Sequence, residues 1–326
     1  MRSKNWMKTN NVFMLVLVKV FVVFSGFAIL QLLSAPLHAN ENSVLSIGLG
    51  QSQTDYFGDN VSPINSDSQR VSYSHQIFNA WQIELNYEKI EGDGRWLNAD
   101  SIAIDRFNQA QTTSDTLGFS VLWQNDDFGL DFSYSDVSTD DRSVTFFPAI
   151  LESVSSDDKI VSFSFNHSIL FDQKAGDNIW NFDWSLGTQY AQFDVAIRDV
   201  VILESPINVD TLIEQSNLSG YIDLNISYWI ETPDFYWSPY FTVSWNREFS
   251  SSGERLVQIS RGAQRQLIDE PSSRFSSSLR TPDSGSWNLG VSIFWQNGWS
   301  VDIAYGETVA TEIELENLVV NLSVSF

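Results

Sequence analysis

The chain contains no cysteine, three histidines, and 18 Lys and Arg against 41 Asp and Glu, a formal net charge of −23. Without cysteine there is no disulfide framework, no thiolate metal site and no lipid-modified N-terminal Cys. Few histidines and no thiolates leave little nitrogen or sulfur for a transition-metal site. The excess of negative charge makes nucleic acid and anionic lipid headgroups poor partners. Long apolar runs are also scarce. One stretch, Val12 to Leu33, is broken by Lys19, and the 14 residues after that lysine fall short of the roughly 20 that a spanning helix needs. No later run is long enough.

What the N-terminus has instead is order. The first 39 residues carry no acid; Arg2, Lys4 and Lys8 precede the apolar stretch, and Ser34-Ala35-Pro36-Leu37-His38-Ala39 supplies small residues after it. That sequence of basic, apolar and small residues is the pattern of an export signal cleaved after Ala39. The expected organisation is residues 1–39 as signal and 40–326 as one domain. Four of the 18 basic residues leave with the signal, so 14 remain against 41 acids, a charge of −27.

From Ser43 onward apolar and polar residues alternate with period two. Strands are expected near 43–53, 69–78, 81–91, 114–124, 128–138, 159–171, 179–191, 217–230, 237–249, 286–296, 299–307 and 315–326. The intervening segments alternate between short turns, such as Asn79-Ala80 and Asn297-Gly298, and mostly long loops, near 54–68, 92–113, 139–158, 192–216, 250–285 and 308–314. Short turns at one end and long loops at the other are the layout of a membrane-spanning barrel. The expected fold is all-β: an antiparallel up-and-down transmembrane β-barrel of about twelve strands, whose even count returns both mature termini to the periplasmic side. A soluble sandwich also alternates, so the faces matter more. Leu289, Val291 and Ile293 share a face with Trp287 and Trp295, and Leu318, Val320, Leu322, Val324 and Phe326 share another. Aromatics sit at strand ends on the apolar face, as an interfacial girdle requires. The opposite face is small and polar, with repeated carboxylates.

A hairpin motif recurs. Ile293-Phe294-Trp295-Gln296-Asn297 turns through Gly298 into Trp299-Ser300-Val301-Asp302-Ile303-Ala304-Tyr305, and Val121-Leu122-Trp123-Gln124-Asn125 turns through Asp126-Asp127 into Phe128-Gly129-Leu130-Asp131-Phe132-Ser133-Tyr134. With Phe326 closing an alternating terminal strand, the chain resembles bacterial outer-membrane β-barrel proteins. Twelve-strand relatives include autotransporter translocators, the outer-membrane phospholipase and small oligosaccharide or nucleoside channels. The resemblance implies that Phe326 is read by the barrel-assembly machinery and that outer-membrane lipid and lipopolysaccharide surround the wall. A translocator would carry a passenger and a helix threading the lumen, whereas only about four residues separate Ala39 from the first strand.

Candidate chemistry lies on the polar face. Glu84, Asp131, Asp183 and Asp302 each follow by three residues the aromatic of an ascending strand, so they are expected at one depth in the lumen, with Tyr240 in the same place after Trp237. Asp223 and Glu88 face inward at other levels. No Lys or Arg is expected at the lower level, Arg70 facing inward only near the outer rim. Such carboxylates form a cation-attracting constriction, or merely solvate a barrel that conducts nothing; a catalytic pair for glycoside hydrolysis is the lesser alternative. His75 and His167 fall on the apolar face, in an interfacial belt, and Ser168 beside His167 points the other way, which argues against a hydrolase. The Asp-rich segments at 136–142 and 155–158 lack the ordered spacing of a calcium loop. The 251–285 segment holds Arg255, Arg261, Arg265, Arg274 and Arg280, and is expected to lack secondary structure and to fold toward the acidic mouth. The composite reading is a passive, cation-preferring channel for small hydrophilic solutes, neither enzyme nor cofactor-dependent. A translocator barrel, a structural or adhesive barrel and an outer-membrane hydrolase stand as alternatives.

Overall fold

The structure is a computed structural model that describes residues 43–326 apart from 57–63, 79, 98–106, 126–127, 147–148, 173–178, 203–205, 262–263, 272–282 and 311–312. The expected signal at 1–39 lies outside the described residues. The strands are β1 (Ser43–Tyr56), β2 (Ile64–Phe78), β3 (Trp81–Leu97), β4 (Phe107–Gln124), β5 (Phe128–Phe146), β6 (Ala149–Asp172), β7 (Ile179–Val201), β8 (Ile207–Glu231), β9 (Phe235–Arg261), β10 (Gln264–Pro271), β11 (Asp283–Trp295), β12 (Trp299–Ala310) and β13 (Ile313–Ser325). Every pairing is antiparallel. The order β10-β9-β11-β12-β13-β1 continues through β2 to β8, and β8 pairs back to β9. Twelve strands therefore close a barrel, and β10 pairs only with β9, along the edge above β11.

All twelve expected spans are present, but most continue farther than alternation indicated. The segments expected as loops at 92–113, 139–158 and 192–216 are largely strand: β5 and β6 pair from Phe128–His167 up to Phe146–Ala149, and β7 and β8 from Ile179–Trp229 up to Val201–Ile207. The 251–285 segment is likewise not structureless. Residues 251–261 stay paired to Ile207–Asn217 of β8, and β10 returns along β9 from Gln264 to Pro271. Residues 251–261 and 264–271 thus extend the wall and do not fold into the mouth.

The register shows how strongly the strands tilt. One row of paired residues leaves β9 at Ser238 and runs through Ser292, Asp302, Asn321, Gly48, Arg70, Glu88, Thr116, Val137, Asp158, Phe193 and Gln215. It rejoins β9 at Gly253, far up the same strand. Closing a barrel with that stagger requires strands inclined to its axis.

Alternation along these strands separates two walls. The outer one is apolar, with Leu117 62%, Leu186 57% and Leu289 58% exposed. Exposed apolar area on this scale around the whole perimeter is incompatible with water as the surrounding solvent. Trp81, Phe128, Trp180, Trp237, Trp295 and Trp299 mark its short-turn edge. Tyr87, Tyr134, Tyr190, Trp245, Trp287 and Tyr305 mark the other edge, in keeping with the expectation of aromatics at strand ends. Beyond that second edge the outer face turns charged, with Asp136 opposite Lys159 and Asp157 opposite Asp194.

Candidate functional site: the acidic lumen

The inner wall is built of Ser, Asn, Thr and Tyr around the carboxylates, and these donors tie one strand to the next. Asp183 accepts from the Ser168 hydroxyl, from Asn181 Nδ2 at 2.9 and 2.8 Å, and from Asn225 Nδ2 at 2.9 Å, while Asn225 Oδ1 accepts from Thr242 at 3.1 Å. That net crosses β6, β7, β8 and β9. Asp302 accepts from Ser292 Oγ at 2.6 Å and from the Tyr240 hydroxyl at 3.2 Å. The Tyr240 ring lies flat over Gly290, where any Cβ would strike it, so glycine lets the phenol reach across the wall. Asp223 accepts from Ser185 at 2.8 Å. Neutral donors satisfy these carboxylates without cancelling their charge.

Glu84 differs. The Arg70 guanidinium comes within 3.7 Å of its Oε1. The expectation that no basic group shares the lower level is therefore wrong. Arg70 starts on the same row as Asp302, opposite Glu88, while Glu84 stands four residues lower on β3, opposite Ser74, and the two long side chains bridge that gap. Arg70, Glu84 and Asp302 line one hollow of about 360 Å³ with Gly48, Asn321, Phe294 and five serines (Ser46, Ser72, Ser292, Ser300, Ser323). A smaller hollow of about 150 Å³ lies beside Asp223, among Gln189, Tyr221, Ser244 and Asn246. Asp131 lies inward on β5, paired with Ser164 and Leu122, away from both hollows.

Of the loop arginines, Arg255 lies on the inner face of the extended wall, and Arg261 and Arg265 are exposed on the β9–β10 hairpin. Arg274 and Arg280 lie outside the described residues. The histidines sit in the outer aromatic belt: His167 stacks on Phe128 at 4.5 Å and meets Trp184 edge-on. Sequence reasoning also missed the contact of Ser43 Oγ with His75 Nδ1 at 2.9 Å. It depends on the β1–β2 register, which no local pattern reveals. No carboxylate orients that imidazole among the described residues, so the pair lacks the third member of a hydrolytic triad. No cluster of three or more His, Cys, Asp or Glu among the described residues is placed to hold a metal.

Neither a protein-family model nor a curated protein sequence matches the chain. Solved structures do. The translocator domain of autotransporter NalP from Neisseria meningitidis aligns with a TM-score of 0.62 at 10% identity, over 95% of this chain and 97% of that one. The fold is that of an outer-membrane β-barrel. The beta domain of the Bordetella autotransporter BrkA (TM-score 0.59, 9% identity, 87% of this chain and 100% of that one) has the same architecture. So does the transport unit of the autotransporter AIDA-I from Escherichia coli (0.58, 10%, 90% and 93%).

Above the apolar band of this barrel the inner face of β5–β7 gathers acids. Asp158 is pushed up to about 6, first by burial and then by Asp157 and Asp194, against a hydrogen bond from Ser156. Burial likewise raises Asp141, and burial with the facing Asp199 raises Glu152. A carboxyl whose folded-state value lies above its unfolded value of 3.8 keeps its proton in the folded extension while the unfolded chain has lost it. Stability of this region therefore falls as pH rises from about 4 to about 6 and is flat above. Amide exchange across Ser153–Lys159 is expected to be slower, after correction for intrinsic rates, at pH 4.5 than at pH 7. Asp158→Asn shrinks the difference; an equal difference in the variant removes Asp158 as its source.

Proposed function

We propose that the protein is a passive outer-membrane channel for small hydrophilic solutes, with a preference for cations. The observation that supports this best is the lower lumen wall, where Asp183 and Asp302 are held by neutral donors that leave their charge in place and Glu84 faces a single arginine. Such a wall concentrates cations and repels anions. Steady single-channel steps with a cation-selective reversal potential in planar bilayers are the expected result; a silent bilayer overturns the reading.

The second reading is a translocator barrel, supported by the shared architecture of the three autotransporter domains. Surface display of an epitope fused ahead of the first strand, with no solute conductance, would favour it. In either case we place both ends of the mature chain in the periplasm, because β1 begins and β13 ends at the short-turn end, and we assign no enzymatic role.

Phe326 is proposed as a signal to the barrel-assembly machinery, and lipid and lipopolysaccharide as the outer wall's surroundings. Deleting Phe326 is expected to lower the folded barrel recovered in outer membranes severalfold, while purified protein refolds in detergent as before. Normal levels in cells would remove Phe326 from that role.

A further inference from the structure

We propose that the hollow bounded by Asp302 and Arg70 is a binding subsite for a small zwitterion, with its ammonium end at Asp302 and its carboxylate end at Arg70. The proposal rests on the channel reading and names the solute class that the lumen would take.

Six strands in succession, β11 to β13 and β1 to β3, build the subsite. Along one row the wall presents Asp302 on β12, Asn321 on β13, Gly48 on β1 and Arg70 on β2, and Glu84 flanks Arg70 from β3. An acid and a base thus stand three strands apart, about 14 Å along the wall, with their side chains converging inward. Between them lies the hollow, floored at Gly48 by the Asn321 amide, whose oxygen takes the place that a Cβ would occupy. The cavity of about 360 Å³ is in the range of small-ligand sites.

Both charged groups are held yet available. Asp302 accepts one bond at each oxygen, from Ser292 and from Tyr240, which leaves a lone pair on each for an ammonium. Arg70 is half-exposed, and its 3.7 Å approach to Glu84 is a loose pair that an incoming carboxylate can share. The guanidinium offers five donors, more than one carboxylate uses.

The charge pattern selects the ligand class. A simple cation is served by carboxylates all round the lumen and is repelled by Arg70, and a simple anion meets Asp302 and Glu84. A zwitterion long enough to span the recess satisfies both ends, and the serines serve the polar groups between. Arg70 is what distinguishes this sector, being the one basic side chain that the described residues place on the inner face alongside the apolar band.

The test uses glycylglycine as the zwitterion and N-acetylglycinamide as an uncharged analogue of similar size. Binding to the refolded full chain in detergent is followed by calorimetry, and block of KCl current is measured separately in bilayers. Saturable binding of glycylglycine, at least fivefold tighter than the analogue, is expected, with Arg70→Gln and Asp302→Asn each weakening it at least fivefold. Heat-modifiable gel migration verifies that both variants are folded. Equal binding of the two probes, or binding indifferent to both substitutions, overturns the subsite even where KCl current is normal. Charge-dependent binding without any KCl current upholds the subsite and overturns the channel.

Discussion

Replacing Val291 by arginine is expected to destabilise the barrel by about 2–4 kcal/mol, the cost of an arginine facing lipid near the bilayer midplane. Val291 lies centrally on the outer face of β11, in register with Ile303 on β12 and Pro239 on β9. One residue on, Ser292 points the other way and donates to Asp302 at 2.6 Å. Arginine at 292 loses that hydrogen bond but gains a carboxylate beside it in a polar lumen, so its penalty is expected to be much smaller. Denaturant unfolding of the two variants in lipid vesicles measures the difference. Equal penalties would mean that the two walls do not face different solvents, as in a soluble sandwich.

Neutralising Glu84, Asp131, Asp183 and Asp302 together, as Gln or Asn, is expected to reduce the cation-selective reversal potential by roughly half. The loss should be most visible at low salt, where the Debye length is longest. Preference does not vanish, because Glu88 and Asp223 still face the lumen and outweigh Arg70. The variant must be shown to be folded, since an amide at 183 can no longer accept from every donor that Ser168, Asn181 and Asn225 supply. Each donor left buried without a partner costs about 1–3 kcal/mol. A reversal potential identical to that of the unmodified protein would place the selectivity elsewhere or remove it.

The parts of this fold that were legible in sequence are those where the two walls face different solvents. Trp287 to Trp295 alternates strongly because lipid and lumen demand opposite side chains, and the structure places those residues as expected. Ser155-Ser156-Asp157-Asp158 sits in a strand as regular, yet reads as a loop, because water bathes its outer face and the two-residue contrast disappears. The upper halves of β5 to β9 were invisible for that reason. Within the lumen, the aromatic-to-acid spacing placed Glu84, Asp131, Asp183 and Asp302 on the inner wall. Their partners were not legible, because Arg70 with Glu84 and Tyr240 with Asp302 depend on a pairing register between strands, as does Ser43 with His75 on the outer wall.

Nearly every strand pairs with its neighbour in sequence, so hairpins can form as the chain is supplied. Apart from β9, which skips β10 to meet β11, the exception is the seam between β1 and β13. There Val44 meets Ser325, Tyr56 meets Ile313, and Ser323 Oγ donates to Ser46 across almost the whole length of the barrel sequence. Until that last strand arrives, β1 and β12 each present an unpaired backbone edge. In hydrocarbon every such N–H and C=O costs several kcal/mol, and in water the same edges template aggregation. The seam therefore works as a late, all-or-none latch. An unlatched intermediate cannot wait in the bilayer alone, and must either close as it inserts or borrow another protein's strand until it does.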